Sequence, residues 1–220
     1  FNGSNNVYTK IINNSINKEN YLKKREFENI KNGIAFYSDE KKRVFFDVVQ
    51  PNQDRISSNL NAGTLSFEVS GYGEKIFTNC GASESLGKNP EYLRYSAAHS
   101  TIILQNTNIS EIKEGNPHSK FPQSVVFRRE VNNEYEIFEG SHNGYLKKFS
   151  KIIKRKLKIY KKNHKLEGED NFISYKNVST RIIFHIRFHL AEDITFNFTN
   201  NKKNIILKTK FDNIWLFKSD

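Results

Sequence analysis

The chain has 220 residues, 36% of them hydrophobic, and a formal net charge of +11. That length suffices for one large core, and the single cysteine, Cys80, excludes an intrachain disulfide framework. No apolar run approaches the roughly 20 residues of a membrane span, so no membrane span is expected.

The sequence has no methionine and opens Phe1-Asn2-Gly3-Ser4, which reads as mid-chain. A piece of a longer protein is expected, with half of any active site upstream. Residues 1–32 are rich in Asn and Lys and hold a short helical pattern near Val7 to Ile16. They read as an irregular or helical linker, or as the end of a preceding domain. From Gly33 the pattern turns to strands, and 33–220 is expected to form one domain.

Residues 35–38 and 43–48 predict a hairpin about Asp39-Glu40. Leu65, Phe67 and Val69 alternate with Ser66, Glu68 and Ser70, the two-residue period of a strand with one buried face. Glu68 then turns away from that face, as a partner for Arg94 or as a solvated group. The turn 70–73 leads to a strand over 75–80, which places Cys80 at the end of an apolar strand, as core. Residues 82–98 read as a long loop, and such loops on a rigid sheet are often functional.

Further strands are expected over 101–105, 124–131, 134–140 and 145–160, with Asn132-Asn133 and Asn143-Gly144 as turns. His142 beside the Asn-Gly turn reads as a hairpin-tip residue. The last strands cover 181–190, 194–199, 205–209 and 214–218. In the first of these, His185, Arg187 and His189 share one face, opposite Phe184, Ile186, Phe188 and Leu190. Short strands at regular spacing with almost no helical period predict an all-β fold: an antiparallel two-sheet β-sandwich.

Charge speaks to association rather than to fold. The basic run 154–162 interleaves Lys with Leu157, Ile159 and Tyr160. It reads as a solvated strand whose lysines guard against edge pairing. No RNA- or DNA-binding signature accompanies it, so no nucleic acid partner is expected. No Gly-rich phosphate loop, Cys cluster or His-Glu-x-x-His motif is present. His118 and His164 fall in loops and take no role.

Three stretches occur in a telling order: 59–70 (Asn-Leu-Asn-Ala-Gly-Thr-Leu-Ser-Phe-Glu-Val-Ser), 77–82 (Phe-Thr-Asn-Cys-Gly-Ala) and 92–101 (Tyr-Leu-Arg-Tyr-Ser-Ala-Ala-His-Ser-Thr). Together they resemble the C-terminal domain of heparinase II/III-like proteins. That family has a His-Ala-His-Ala strand running into Leu-Ser-Phe-Glu, then an acidic or amide residue before Gly, then Arg before His-Asn/Ser-Thr. Residues 141–145, 166–170 and 186–190 are similar to signatures of a bacterial branch, so the resemblance covers about 33–220. It implies an upstream α/α toroid domain, a cleft shared with it, and β-elimination on uronate-containing, acidic polysaccharide. A periplasmic or cell-envelope location goes with it.

β-Elimination needs a neutralised carboxylate, a base at C5 and an acid for the leaving oxygen. In the family much of that set sits on the toroid, so this domain alone is not expected to catalyse. The resemblance assigns catalytic positions to Asn61, Asn79 and His99. Arg94, Asn59, Arg187 and His189 are the candidates for binding the acidic sugar; Arg suits a carboxylate because its planar fork binds both oxygens. Some family members bind zinc where this chain has Asn59, Asn61, Asn79 and His99. Amide oxygen is a poor zinc ligand beside imidazole or carboxylate, so no metal or other cofactor is expected. The Asn replacements leave a second reading open, a non-catalytic glycan-binding or structural sandwich.

Overall fold

The computed structural model describes residues 33–51, 61–81, 91–112, 120–175, 181–199 and 202–219. The expected linker over 1–32 lies outside the described residues. The described chain is a sandwich of antiparallel sheets. One large sheet sets side by side, in this order, β1 (Ile34–Ser38), β2 (Lys42–Asp47), β3 (Phe67–Gly71), β4 (Glu74–Thr78) and β11 (His189–Leu190). The other joins β6 (Val125–Val131), β7 (Tyr135–His142), β8 (Lys151–Tyr160) and β9 (Leu166–Ser174). Two smaller sheets complete it among the described residues: β10 (Phe184–Ile186) beside β5 (Ile102–Leu104), and the run β12 (Thr195–Phe198), β13 (Asn204–Lys208), β14 (Ile214–Lys218).

Alternation decides which side chains fill the space between the large sheets. Val44 and Phe46 of β2 point inward and are fully buried, as are Phe138 of β7 and Ile153 and Ile159 of β8. Phe46 stacks on Phe138 with centroids 6.5 Å apart, and Phe127 meets Phe138 edge to face at 5.8 Å. Gly140 is the close point of the two layers. A Cβ there would lie 2.5 Å from Leu65 Cδ2 and 3.0 Å from the Phe46 ring. The three-stranded sheet packs farther along, where Phe217 meets Phe77 at 6.0 Å and Phe188 at 5.0 Å.

Four expectations need correction. The strand expected over 145–160 begins with a one-turn helix, α1 (Leu146–Phe149), ended by Ser150 at φ 53. The strand expected over 181–190 is two: β10 pairs with β5 and β11 with β4, so His185 and His189 belong to different sheets. Leu65 precedes β3, in a turn at φ 61, and still drops its side chain into the core. Finally, β9 went unpredicted, because Gly168 and Asp170 occupy two of its inward positions and dilute the apolar period.

Asp170 is there for Arg155. One register row runs Phe127, Gly140, Arg155, Asp170 across the four strands, all on the inner face. Arg155 is 1% exposed. Its Nε and Nη2 donate to the two Asp170 carboxylate oxygens at 2.7 and 2.9 Å. Its Nη1 donates to the carbonyls of Leu65 at 3.0 Å and Ser100 at 2.8 Å. The guanidinium also lies over the Phe67 ring, 5.3 Å from its centroid.

Asp170→Ala should cost about 3–5 kcal/mol in denaturant unfolding, because it strands a buried cation. The double variant Arg155→Met/Asp170→Leu removes the stranded charge but leaves the Leu65 and Ser100 carbonyls without their donor, so it should retain a cost of about 1–3 kcal/mol per carbonyl. Gly140→Ala should cost about 1–3 kcal/mol through overpacking. Gly168→Ala on the same sheet, whose Cβ would meet only Leu157 at 3.8 Å, should be neutral or stabilising.

Candidate functional site

At the far end of β4 the backbone stops pairing with β3, and segments distant in sequence converge. Two short 3-10 turns, Glu91–Arg94 and Ser96–Ala98, cross this end and lead to His99. Three buried hydroxyls fasten the crossing. Ser96 Oγ donates to the Ala62 carbonyl at 2.7 Å and accepts from Ile109 N at 2.9 Å. Ser100 Oγ donates to the Thr78 carbonyl at 2.8 Å and accepts from His189 N at 2.9 Å. Thr101 Oγ1 donates to the Thr64 carbonyl at 2.9 Å. Each hydroxyl satisfies a backbone group that the sheet cannot reach.

This network brings most of the expected residues together. Asn61 adjoins Ala62, whose N–H donates to the Arg94 carbonyl at 2.8 Å. Arg94 and Asn61 are both half-buried there. Asn79 is engaged at both amide atoms: Oδ1 accepts from Ser100 N at 2.8 Å, and Nδ2 donates to Glu68 Oε1 at 3.1 Å. Glu68, offered as a partner for Arg94 or for water, thus receives Asn79. Its burial raises the carboxyl above the usual range, while the two N–H donors of Asn79 pull it back. Arg187 is exposed between β10 and β11, its N–H donating to the Thr101 carbonyl at 3.1 Å. Asn59 lies outside the described residues.

His99 is 3% exposed. Its ring lies against Gly63, where a Cβ would come within 3.0 Å of Cγ, 3.2 Å of Nδ1 and 3.3 Å of Cδ2. Its Nε2 is buried with no hydrogen-bond partner among the described residues. Burial first, and the nearby His189 second, bring its pKa down to about 4, so the ring is neutral at pH 7.

His189 stands at the rim. Its Nε2 is 2.9 Å from the Ala97 carbonyl, which obliges that nitrogen to carry the proton. Its Nδ1 lies 3.5 Å from Cys80 Sγ. Cys80, expected in the core, is exposed, because β4 ends two residues earlier and the chain has left the sheet. His142 is no exposed hairpin tip either: it is buried at the end of β7, and its Nδ1 accepts from Gly144 N at 3.1 Å. Burial, with Arg155 close by, lowers its pKa to about 3.

Sequence reading passed over Gly63, Ser96 and Ser100, which shape the site without any motif chemistry of their own. Arg155 was visible in principle, since it shares the inward parity of Ile153, Leu157 and Ile159. The assembled edge offers the guanidinium groups of Arg94 and Arg187, the His189 imidazole and amide groups, an array suited to hydrogen-bonding a carboxylate or hydroxyls.

No curated protein matches this sequence. Among solved structures the chain is similar to the "Heparinase III-BT4657 gene product", at 13% identity and a TM-score of 0.35, covering 90% of this chain and 43% of that one. A second structure of that description, with methylated lysines, matches at 9% identity and a TM-score of 0.34, covering 90% and 42%. The chain therefore spans less than half the length of the solved chains it matches. The family model "Heparinase II/III-like, C-terminal" matches residues 25–220. By that match, over nearly its whole length, the chain belongs to the heparinase II/III-like family and carries its C-terminal domain.

Proposed function

We propose that this domain holds an acidic, uronate-containing polysaccharide for β-elimination in a cleft shared with an upstream α/α toroid domain. The observation that carries the reading is the convergence of Asn61, Arg94, His99 and Arg187 on the Ser96–Ser100–Thr101 network. Arg94 and Arg187 supply the charge that a sugar carboxylate needs before its C5 proton can leave. His189, whose Nε2 proton is held by Ala97, contributes a rim contact to the sugar. The base and the proton donor come from the toroid. A periplasmic or envelope location fits such a substrate.

Zinc does not fit this donor set. Asn79 stands where the zinc-binding members place an Asp ligand, and its oxygen already accepts the Ser100 N–H. Only His99 keeps a strong ligand atom. A second reading, a glycan-binding or structural domain without catalytic duty, is favoured by the same facts. Asn79 has both amide atoms in use, and the His99 ring is enclosed, so both act here as positioning residues rather than as groups that touch sugar.

Full-length protein incubated with a uronate polymer should generate the ultraviolet absorbance of an unsaturated uronate, whereas this domain alone should not. Arg94→Ala should weaken polymer binding about tenfold, near 1.4 kcal/mol. Retained binding with no absorbance from the full-length protein would select the second reading, and neither signal would remove both.

The enclosed imidazole also predicts an acid sensitivity. A His with a lowered folded pKa gives stability that is complete above its unfolded pKa of about 6.5 and is lost as pH falls towards about 4. Between pH 7 and pH 4.5 the wild-type domain should therefore lose up to about 2 kcal/mol more unfolding free energy than His99→Gln. Parallel pH–stability curves for the two proteins would contradict the burial of that ring.

A further inference from the structure

The opposite end of the sandwich carries a second surface that the reading above does not use. There the hairpin turns of β1–β2, β3–β4 and β8–β9 come together. Lys42 Nζ donates to the Asn163 carbonyl at 3.2 Å and to the Tyr160 carbonyl, tying the first turn to the third. Tyr72 N donates to the Lys41 carbonyl at 2.7 Å, tying the second turn to the first.

Tyr72 is the odd residue in this group. With Gly73 it forms the tip of the β3–β4 hairpin, at φ 52 and φ 82 respectively. Positive φ at both central positions favours Asn, Asp or Gly, and a bulky aromatic there is an outlier. Yet Tyr72 is 44% exposed, so burial does not repay the strain. Its ring lies 5.1 Å from the exposed His164 ring and 6.0 Å from Trp215. Trp215 is seated by Gly71, where a Cβ would fall 2.3 Å from Cζ2 of the indole. The indole is thus fixed beneath the tyrosine, and the tyrosine is held outward.

Around these rings the exposed side chains of the turns include Lys41 and Lys162. Glu40 of the first turn is exposed beside Lys41, whereas three other neighbouring acids are engaged within the fold. Asp39 receives Tyr37, the backbone of Lys41 and Lys42, and the Lys42 ammonium. Glu74 is held by Thr209, Asn213 and the backbone of Phe211. Glu167 takes Tyr160 and Lys165. An aromatic face packs against the weakly positive C–H face of a sugar ring. Lysines at its margin attract carboxylate or sulfate groups along the same chain.

We infer that the Tyr72–His164–Trp215 cluster, flanked by Lys41 and Lys162, is a second contact for an acidic saccharide chain, at the end of the domain opposite the His99 edge. The site needs no catalysis at that edge, so it stands or falls apart from the elimination reading. Its use would be to retain a long polymer while another stretch of the same molecule occupies the cleft, raising the effective concentration there.

Trp215 is the single tryptophan of the chain and so reports on this end alone. Titration of the domain with oligomers of heparin, polygalacturonate and alginate should change its fluorescence for at least one of them, and neutral cellohexaose should not. Arg94→Ala should leave that response intact. Tyr72→Phe keeps the stacking face and should bind within about twofold of wild type. Tyr72→Asn suits the positive φ, should fold normally by circular dichroism, and should weaken calorimetric affinity at least tenfold. Lys41→Ala/Lys162→Ala should reduce the salt dependence of binding. No fluorescence response to any of the three acidic oligomers would overturn the assignment. So would a response whose affinity Tyr72→Asn leaves unchanged, or one that Arg94→Ala abolishes.

Discussion

A guanidinium removed from water needs a counter-charge and a partner for its remaining donors. Arg155 obtains the charge from Asp170 on the adjoining strand of its own sheet. It obtains the remaining partners from the carbonyls of Leu65 and Ser100, which belong to segments of the opposite layer. Those two carbonyls have no ladder partner, since Leu65 precedes β3 and Ser100 precedes β5. Arg155 therefore satisfies the backbone of both segments that frame the His99 edge. The geometry of the candidate site is set from behind, by a residue that never faces solvent.

The close layer contact at Gly140 belongs to the same arrangement. Leu65 adopts an unfavourable left-handed conformation, at a cost of roughly 1–2 kcal/mol. It does so with its side chain sunk against Gly140 and its carbonyl aimed at Arg155. Burial of the leucine, worth about 1.5–3 kcal/mol, offsets the strain. The turn 61–66 is thereby fixed on two sides, which explains how Gly63 can be held flush against the His99 ring. Small changes in this packing would move His99, Arg94 and Asn61 together rather than singly.

Much of this was legible in the chain because alternation is a local signal. The β1–β2 and β6–β7 hairpins, and the last three strands, follow from period-two patterns and turn residues, with ends shifted by a residue or two. The order of the Leu-Ser-Phe-Glu and His-Ser-Thr stretches carried the family, and the family match over 25–220 bears it out. What could not be read depended on pairing between distant strands. The break between β10 and β11 exists because the chain changes sheets, which no local period announces. Arg155 sits amid a lysine-rich run, so its inward parity was masked by the charge of its neighbours. Ser96 and Ser100 matter through carbonyls that only the fold brings near. The bonds of Asn79 to Glu68 and Ser100 likewise join residues far apart in sequence.

The high positive charge also has a placement that composition cannot give. On the outer face of the four-stranded sheet the row Arg128, Glu139, Lys156, Glu169 alternates in sign across all four strands. Lys158 is opposite Glu167 in the next row, and Lys154 pairs with Glu139 at 2.9 Å. Opposite charges directly across a sheet are mutually stabilising, and together they leave little net field. The basic strand that looks on paper like a polyanion track is therefore neutralised by its neighbours. Among the described residues this face therefore offers a polyanion little net charge, and the two proposed saccharide contacts lie instead at the ends of the sandwich, where sheet pairing stops. That places Arg94 and Arg187 at one end and Lys41 and Lys162 at the other, with a balanced face between them.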